Sequence, residues 1–228
     1  MKAGTNGLED SDAAPAQRSA ADQAYLHLVS AIRVGRYRPG QRLIMEDIAA
    51  RIGLSRMPVQ EAMRRLAAEG LATMRPNRGC VVSSLSGADI YEIFEMRSVL
   101  EGLAVRLAMP RIDAAVLAEL DWFLHRMERS AAAGGEEWVT YHREFHEYIC
   151  GLSDRPKLLQ QIAGLHTATE PYMRMWFHHV QSSETEHRDF VDILRTRDAA
   201  RAEKAMRMHI LATAPVLVAF IEQHPEFG

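Results

Sequence analysis

The chain has 228 residues, of which 47% are hydrophobic and 25% charged, enough to bury a sizeable core in one or two domains. The sequence contains no uninterrupted apolar run long enough to span a bilayer and no basic start followed by an apolar stretch. Composition therefore argues against a membrane-spanning or secreted protein, and we expect a cytoplasmic one with no membrane partner. Cys80 and Cys150 lie far apart without a CxxC spacing, which predicts two reduced thiols.

The formal net charge of -3 hides an asymmetry between the two parts of the chain. Between Gln23 and Val82 there are ten arginines and four acidic residues, a net charge of +6. Residues 83–228 carry 15 basic and 22 acidic residues, a net charge of -7. A basic segment joined to an acidic one is typical of a DNA-binding module attached to a domain that does not bind DNA.

Three short helices are predicted in the first third of the chain. Residues 1–20 have no apolar period and are predicted to be a disordered tail. Apolar residues at helical spacing then define the helices, which end at Gly35, Gly53 and Gly70. We expect the hydroxyl of Ser55 to cap the third helix by accepting a hydrogen bond from a free backbone N–H group.

A hairpin is predicted after the third helix. Residues 72–83 have an extended pattern, interrupted by a tight turn at residues 76–79. Three helices followed by a hairpin within about sixty residues is the outline of a winged helix-turn-helix. We place this DNA-binding domain at residues 21–83.

The remainder of the chain is predicted to be an all-α, antiparallel bundle of six or seven helices over residues 87–222, which makes the protein mostly α. No strand pattern occurs after Gly87. Pro171 and Pro215 fall inside two of the predicted helices and are expected to kink or split them. The predicted helices cover residues 87–109, 113–132, 135–152, 155–180, 184–197 and 198–222.

The N-terminal segment resembles the GntR family of transcriptional repressors. The resemblance rests on GRYRPGQRL at 35–43, GLSRMPVQEAMRRL at 53–66, EGL at 69–71 and PNRG at 76–79. It implies a homodimer that binds a double-stranded DNA operator. The family usually has arginine where this chain has Gln60, so the base preference is expected to differ.

The residues themselves also point to DNA. Arg56 and Gln60 lie four apart near the start of the third helix, the end that enters the major groove in a recognition helix. Arginine can pair with guanine and glutamine with adenine, and Arg64 on the same face could meet a phosphate. The alternative is that these arginines only solvate an exposed face. The predicted DNA-binding residues are Arg56, Gln60, Arg64, Arg75, Asn77, Arg78 and Gly79.

Four histidines lie on the predicted inward faces of three bundle helices: His142, His146, His187 and His209. Neutral imidazoles bind Zn²⁺ or Ni²⁺ well, so a divalent transition-metal site is predicted. The alternative is a set of core histidines that hydrogen bonds satisfy. The inward face of the last helix, which carries His209, is expected to include the apolar residues Ala212 and Val216.

The bundle resembles the FCD ligand-binding domain of the FadR group of GntR regulators, over about residues 87–215. The matching residues are 95–101, 145–146, 186–187 and 206–210. The resemblance implies a metal held by one aspartate and three histidines. Here His142 occupies the aspartate position, four residues before His146, so the implied ligand set is all histidine.

Arg97 lies among apolar residues of the first bundle helix, where a charge needs a partner. Two interpretations stay open. Glu101, four residues later, could pair with it, or Arg97 could hold the carboxylate of an effector by a forked pair of hydrogen bonds.

These patterns predict a DNA-binding transcriptional regulator that responds to a small organic acid bound near a metal. One alternative is a regulator in which the metal ion itself is the signal. A remote alternative is a metal-dependent hydrolase, which would need a general base near the metal. Glu147 and Glu186 are expected to point away from the histidines, and no clear nucleophile is present, so we expect no enzymatic activity.

Overall fold

The computed structural model describes residues 18–76, 79–135, 137–179 and 185–224. The DNA-binding part contains α1 (Ala20–Arg33), α2 (Met45–Ile52) and α3 (Arg56–Ala68), with three strands. The bundle contains α4 (Gly87–Ala108), a 3₁₀ turn (Met109–Arg111), α5 (Ala114–Ala132), α6 (Trp138–Gly151), α7 (Pro156–His179), α8 (Thr185–Arg195) and α9 (Ala199–Gln223). The mostly α fold predicted from the sequence is confirmed.

The small antiparallel sheet has the strand order β1 (Arg42–Leu43), β3 (Gly79–Val82), β2 (Ala72–Arg75). Arg75 stands opposite Gly79 in the predicted hairpin. The sequence analysis did not predict β1, because two residues are too few to show an alternating pattern. The predicted tail lies outside the described residues up to 17, and its last residue, Ala20, begins α1 after the N-cap residue Ser19.

One local expectation needs correction, the cap at Ser55. Ser55 occupies the N-cap position of α3 with extended backbone, but its hydroxyl makes no capping hydrogen bond. Pro171 and Pro215 lie within α7 and α9, and neither splits its helix. Gly53 does end α2 as predicted, in the left-handed conformation that glycine adopts without steric cost (φ 69°).

Each part of the chain has its own apolar core. The first is formed by α1, α2, α3 and the sheet, and the second by the bundle helices. α4 and α9 pack along each other, and at Gly102 the side chain of Arg207 lies 2.6 Å from where a Cβ would stand, so only glycine fits without a shift. The inward face of α9 runs through Ile210, Ala214 and Leu217, whereas Ala212 and Val216 are exposed, contrary to expectation.

α9 is long and apolar enough to cross a membrane by length and composition alone. It is the only helix of the described residues with that property. Its packing against α4 and its contribution to the bundle core account for part of this apolar composition, whereas Met208, Leu211 and Val216 are exposed. The two cysteines, Cys80 and Cys150, are buried free thiols.

Candidate metal centre and nucleic-acid interface

α3 presents a polar face to solvent and an apolar face to the core. The side chain of Arg56 is 69% exposed, Arg64 is exposed, and Gln60 is half-buried. Arg56 Nη1 lies 3.4 Å from Oε1 of Glu46, and an exposed pair of this kind contributes little to stability. The guanidinium is therefore available to another acceptor. The buried face of α3 consists of Val59, Ala62, Met63 and Leu66.

The wing brings further basic residues near the tip of the sheet. Arg75 is exposed at the end of β2, and Gly79 begins β3 with a φ of +70° that favours glycine. Asn77 and Arg78, also predicted to contact DNA, lie outside the described residues. Arg42 is exposed on β1 and was not among the predicted DNA-binding residues. Its guanidinium lies 3.9 Å from where a Cβ of Gly79 would stand.

The four predicted histidines come together inside the bundle. α6 carries His142 and His146, α8 carries His187 and α9 carries His209. One ring nitrogen from each lies within 4.8 Å of those of the other three. The imidazole centroids of His187 and His209 are 4.4 Å apart, and those of His142 and His146 are 4.6 Å apart. The spatial convergence inferred from three separate helices is therefore present.

Among the described residues, three buried ring nitrogens of this cluster have no hydrogen-bond partner: Nε2 of His146, Nε2 of His187 and Nδ1 of His209. A buried polar atom without a partner is costly, and native cores rarely tolerate several in one place. Core histidines are usually satisfied by hydrogen bonds, whereas these three nitrogens form none with the described residues. The donor set fits a transition metal that prefers nitrogen ligands.

Glu101 supports the cluster from α4. Its Oε2 lies 2.9 Å from Nδ1 of His146, and both side chains are fully buried. When Nδ1–H donates to this carboxylate, Nε2 of His146 is left with its lone pair free. Metal-binding histidines commonly have such a carboxylate on their second nitrogen, where it fixes the ring and raises its basicity.

Burial keeps three of the imidazoles neutral. It lowers the pKa of His142 and of His187 well below the ordinary value of 6.5, and neighbouring histidines add to the effect. Burial also lowers the pKa of His146 to about 4, opposed by the hydrogen bond and charge of Glu101. Neutral imidazole is the form that binds a metal, so no proton has to leave these three rings at neutral pH.

Arg97 is buried beside the cluster, with 2% of its surface exposed. Its Nε donates to Oε1 of Glu101 at 2.8 Å, so the ion pair that the sequence offered as one interpretation is present. Nε2 of His166 lies 3.2 Å from Nη2 of Arg97 and 3.1 Å from Oε1 of Glu101. Arg97 also lines a small cavity with His142, Arg143, His166, Thr169 and Glu170.

The carboxylates considered as possible general bases take part in other contacts. Glu147 pairs with Arg143. Glu186, expected to point away from the histidines, instead lies with Oε2 3.7 Å from Nδ1 of His209, too far for a hydrogen bond. Its side chain is 59% exposed.

Two family models match the chain in adjoining segments. The model "Bacterial regulatory proteins, gntR family" matches residues 20–82, and the FCD domain model matches residues 92–212, more than half of the chain. The chain is a GntR-family transcriptional regulator with an FCD domain. The resemblance inferred from the sequence motifs is confirmed.

Curated relatives of this GntR regulator are transcriptional regulators as well. The repressor GlaR of Escherichia coli is 29% identical over 206 residues, covering 85% of this chain and 93% of GlaR. The Nta operon transcriptional regulator of Aminobacter aminovorans is 33% identical over 129 residues, which span 57% of this chain and 61% of that protein. These relatives support the prediction that the chain is not an enzyme.

Solved structures agree on the fold. McbR/YncC of E. coli superposes with a TM-score of 0.80 at 23% identity, covering 90% of this chain and 99% of that one. A GntR regulator from Rhodococcus sp. RHA1 gives a TM-score of 0.75 at 22% identity, covering 89% and 99%. At these identities the likeness extends to the fold alone.

Three polar residues of the bundle in this GntR regulator were not predicted from the sequence: His166 and Glu170, which are buried, and Arg143, which is half-buried. His166 contacts the Arg97–Glu101 pair, and Arg143 approaches Glu170. A signal was available for Arg143 and Glu170, because each has an oppositely charged residue four positions later on the same helix, Glu147 and Arg174. Their contacts with other helices join positions at sequence separations that no periodicity reveals.

Proposed function

We propose that this GntR regulator is a homodimeric, cytoplasmic repressor whose operator binding responds to a small carboxylate held near a divalent transition metal in the bundle. The observation that carries the proposal is the buried four-histidine cluster with unpartnered ring nitrogens, in a chain that also has a winged helix. The repressor name of GlaR supports the direction of control.

In this proposal α3 reads the operator. Arg56 and Gln60 contact base edges in the major groove, and Arg64 contacts a phosphate. Exposure of the two arginines on one helix supports these roles. The wing contributes Arg75 and Gly79, together with Asn77 and Arg78, which lie outside the described residues.

His142, His146, His187 and His209 would hold Zn²⁺ or Ni²⁺. The ion would supply positive charge and a Lewis-acidic centre to which an effector oxygen can bind. Glu101 orients His146 and balances the charge of Arg97. The Glu101 carboxylate is stabilised in turn, because Arg97 and His166 lower its pKa well below 4.5 despite complete burial.

Arg97 would pair with the effector carboxylate. Its guanidinium and that of Arg143 line the same cavity as His142, so an anion there would meet two cations beside the metal ligands. The cavity has a volume of only about 10 Å³, room for about one water molecule. Effector binding therefore requires the surrounding side chains to move apart.

The small size of this cavity also favours a second candidate function, in which the metal ion itself is the signal. Four histidines can complete a tetrahedral zinc site without an external ligand. A chain of this kind would respond to Zn²⁺ or Ni²⁺ alone and would be indifferent to carboxylates.

A homodimer is proposed because operators with two half-sites require a two-fold symmetric protein. An apolar surface suited to such an interface exists on the outer faces of α4 and α9, which pack against each other. We define the outer α4–α9 face by its exposed apolar side chains, Tyr91, Met96, Val99, Met208, Leu211 and Val216. Exposed apolar patches on soluble proteins commonly mark interfaces.

The proposal is tested on the purified full chain. Elemental analysis should find about one Zn²⁺ or Ni²⁺ per chain. His187→Ala should lower the metal content and remove the thermal stabilisation by added metal, whereas the exposed His125→Ala should not. Absence of bound metal together with no thermal shift would favour plain core histidines.

A screen of small carboxylic acids, with and without chelator, separates the two candidate functions. In the leading proposal, a carboxylate raises the melting temperature only when metal is bound and changes affinity for an operator selected from random duplexes. Arg97→Lys should weaken that response, because lysine keeps the charge but loses the fork. A response to metal that no carboxylate alters would support the metal-sensing alternative.

A further inference from the structure

Glu170 is a buried carboxylate that contacts arginines from both parts of the chain. It is 4% exposed. Its Oε2 lies 2.7 Å from Nε of Arg33, at the end of α1 in the DNA-binding domain. Its Oε1 lies 2.7 Å from Nη2 of Arg174, and its Oε2 lies 3.4 Å from Nε of Arg143 on α6. One carboxylate thus faces three guanidinium groups.

A second residue of α7, the helix that carries Glu170, also contacts the end of α1. Nε of Arg174 donates to the backbone carbonyl of Arg33 at 2.9 Å, and its Nη2 donates to Thr140 at 2.7 Å. Carbonyls in the last turn of a helix lack intrahelical donors, and a cation there also complements the helix dipole. α7 therefore contacts the side chain of Arg33 through Glu170 and its backbone carbonyl through Arg174.

α7 also contacts the connection between the domains. The hydroxyl of Tyr172 accepts a hydrogen bond from the backbone N–H of Leu85 at 2.6 Å, just before α4 begins. Tyr172 is buried, with 1% of its surface exposed. Any shift of this part of α7 would be felt at α1 and at the connection together.

At the other end, the Glu170 network borders the cavity beside the histidine cluster. Arg143 and Glu170 line that cavity together with Arg97. Nε of Arg143 is buried and has no hydrogen-bond partner in the part of the chain that the structure describes, since Glu170 lies at ion-pair distance but outside hydrogen-bond geometry. An anion in the cavity would attract Arg143 and repel Glu170.

We propose that Glu170 couples the cavity to the DNA-binding domain. An anion bound at Arg143 competes with Glu170 for this guanidinium. Glu170 then pairs more tightly with Arg33 and Arg174, so α1 is held more firmly against α7. The coupling rests on the proposed function, because the anion site is the proposed effector site. The coupling free energy is the difference in the free energy of anion binding between two arrangements, one in which Glu170 is shared with Arg143 and one in which Glu170 is released from it.

The test is a double-mutant cycle on the full chain, read by hydrogen exchange of the amides at residues 31–36. Glu170→Gln and Arg33→Gln should each speed this exchange about ten-fold, as expected when a charge-assisted contact is lost. Arg143→Gln should slow it, because Glu170 then has one cation fewer to share. In the Glu170→Gln background, Arg143→Gln should have no effect.

Arg36→Gln is the matched control. It removes the same charge three residues after Arg33, from an exposed side chain with no ion pair among the described residues. It should leave the exchange rate unchanged. If Glu170→Gln fails to fold, the cycle is run with Arg33→Gln, whose side chain is 23% exposed and tolerates change better.

Two results would overturn the coupling: Arg143→Gln leaves exchange at residues 31–36 unchanged, or it has the same effect with and without Glu170. Neither result depends on a metal or on DNA. Failure of the proposed function would instead appear as a wild-type chain that binds no metal and selects no operator. The two failures are therefore distinguishable.

Discussion

Nδ1 of His146 lies 2.9 Å from Oε2 of Glu101, and neither side chain reaches solvent. The same carboxylate pairs with Arg97 through its other oxygen. One buried carboxylate thus joins the histidine cluster to the arginine that borders the neighbouring cavity. A change at Glu101 should be felt at both places.

Glu101→Gln should weaken metal binding by about 10–100-fold, the usual effect of losing a carboxylate behind a ligating histidine. The amide oxygen can still accept a hydrogen bond from His146, but the buried guanidinium of Arg97 loses its counter-charge, so the melting temperature should fall as well. Dissociation constants from competition with a chelator provide the measurement. Glu95→Gln, an exposed change on the same helix, is the control. Equal metal affinity in all three proteins would contradict the role of Glu101.

The metal-free protein should lose stability as pH falls from about 6.5 toward about 4. In this window the unfolded chain takes up protons on histidines whose folded pKa is lowered, namely His142, His187 and His146. Each histidine that stays neutral in the folded state contributes a slope of up to about 1.4 kcal/mol per pH unit to the free energy of unfolding. Glu101 adds to the loss only from about pH 4.5 downward, where the unfolded carboxyl takes up a proton and the folded one, whose pKa lies well below 4.5, does not.

Denaturant titrations at several pH values measure this slope. His187→Gln should flatten it, since one buried imidazole is removed, and His125→Ala should not. Saturating Zn²⁺ should shift the loss to lower pH, because the ion competes with protons for the same nitrogens. A stability that stays constant between pH 7 and pH 5 would show that the histidines are not held neutral.

Gln60→Arg should change the preferred operator, because arginine favours guanine and glutamine favours adenine. Arg56→Ala should cost about 1–3 kcal/mol of operator affinity and relax specificity at one position. Selection from random duplexes gives the preferred sequences. Arg75→Ala should weaken binding to all sequences alike, as expected for a phosphate contact. Identical consensus sites for wild type and Gln60→Arg would remove residue 60 from base reading.

Met208→Glu combined with Val216→Glu should dissociate the dimer, because two charges would be buried in the proposed interface without partners. Light scattering gives the mass, and operator binding should weaken in parallel. Leu26→Glu places one charge on an exposed apolar position of α1, outside the outer α4–α9 face, and should leave the mass unchanged. A double variant that remains dimeric would place the interface elsewhere.

Much of the fold could be predicted from apolar periodicity. The bundle helices begin and end within three residues of their expected limits, and the histidine cluster followed from the inward faces of three helices. Apolar periodicity indicates which face of a helix is buried. It can therefore predict the residues of a site that is built from inward-facing side chains, such as the histidine cluster.

The contacts that periodicity could not predict are those between distant polar residues. Arg33 and Glu170 are 137 positions apart, and nothing in either segment indicates the other. His166 gave no signal because a histidine within a long helix has several ordinary explanations. The exposure of Val216 was mispredicted because α9 buries one stripe and leaves a second apolar stripe outside.

Pro171 directly follows Glu170 within α7. Proline has no N–H group, so the carbonyl of residue 167 receives no helical hydrogen bond from it, and the ring crowds that carbonyl. The helix therefore lacks one backbone hydrogen bond near the point where it meets α1. A helix with all of its backbone hydrogen bonds would transmit every motion of the bundle to the winged helix. A helix that lacks one of them transmits only those motions that the neighbouring side-chain contacts carry. Substitutions at a few positions around Pro171 could then change the response to a signal without changing the fold of either domain.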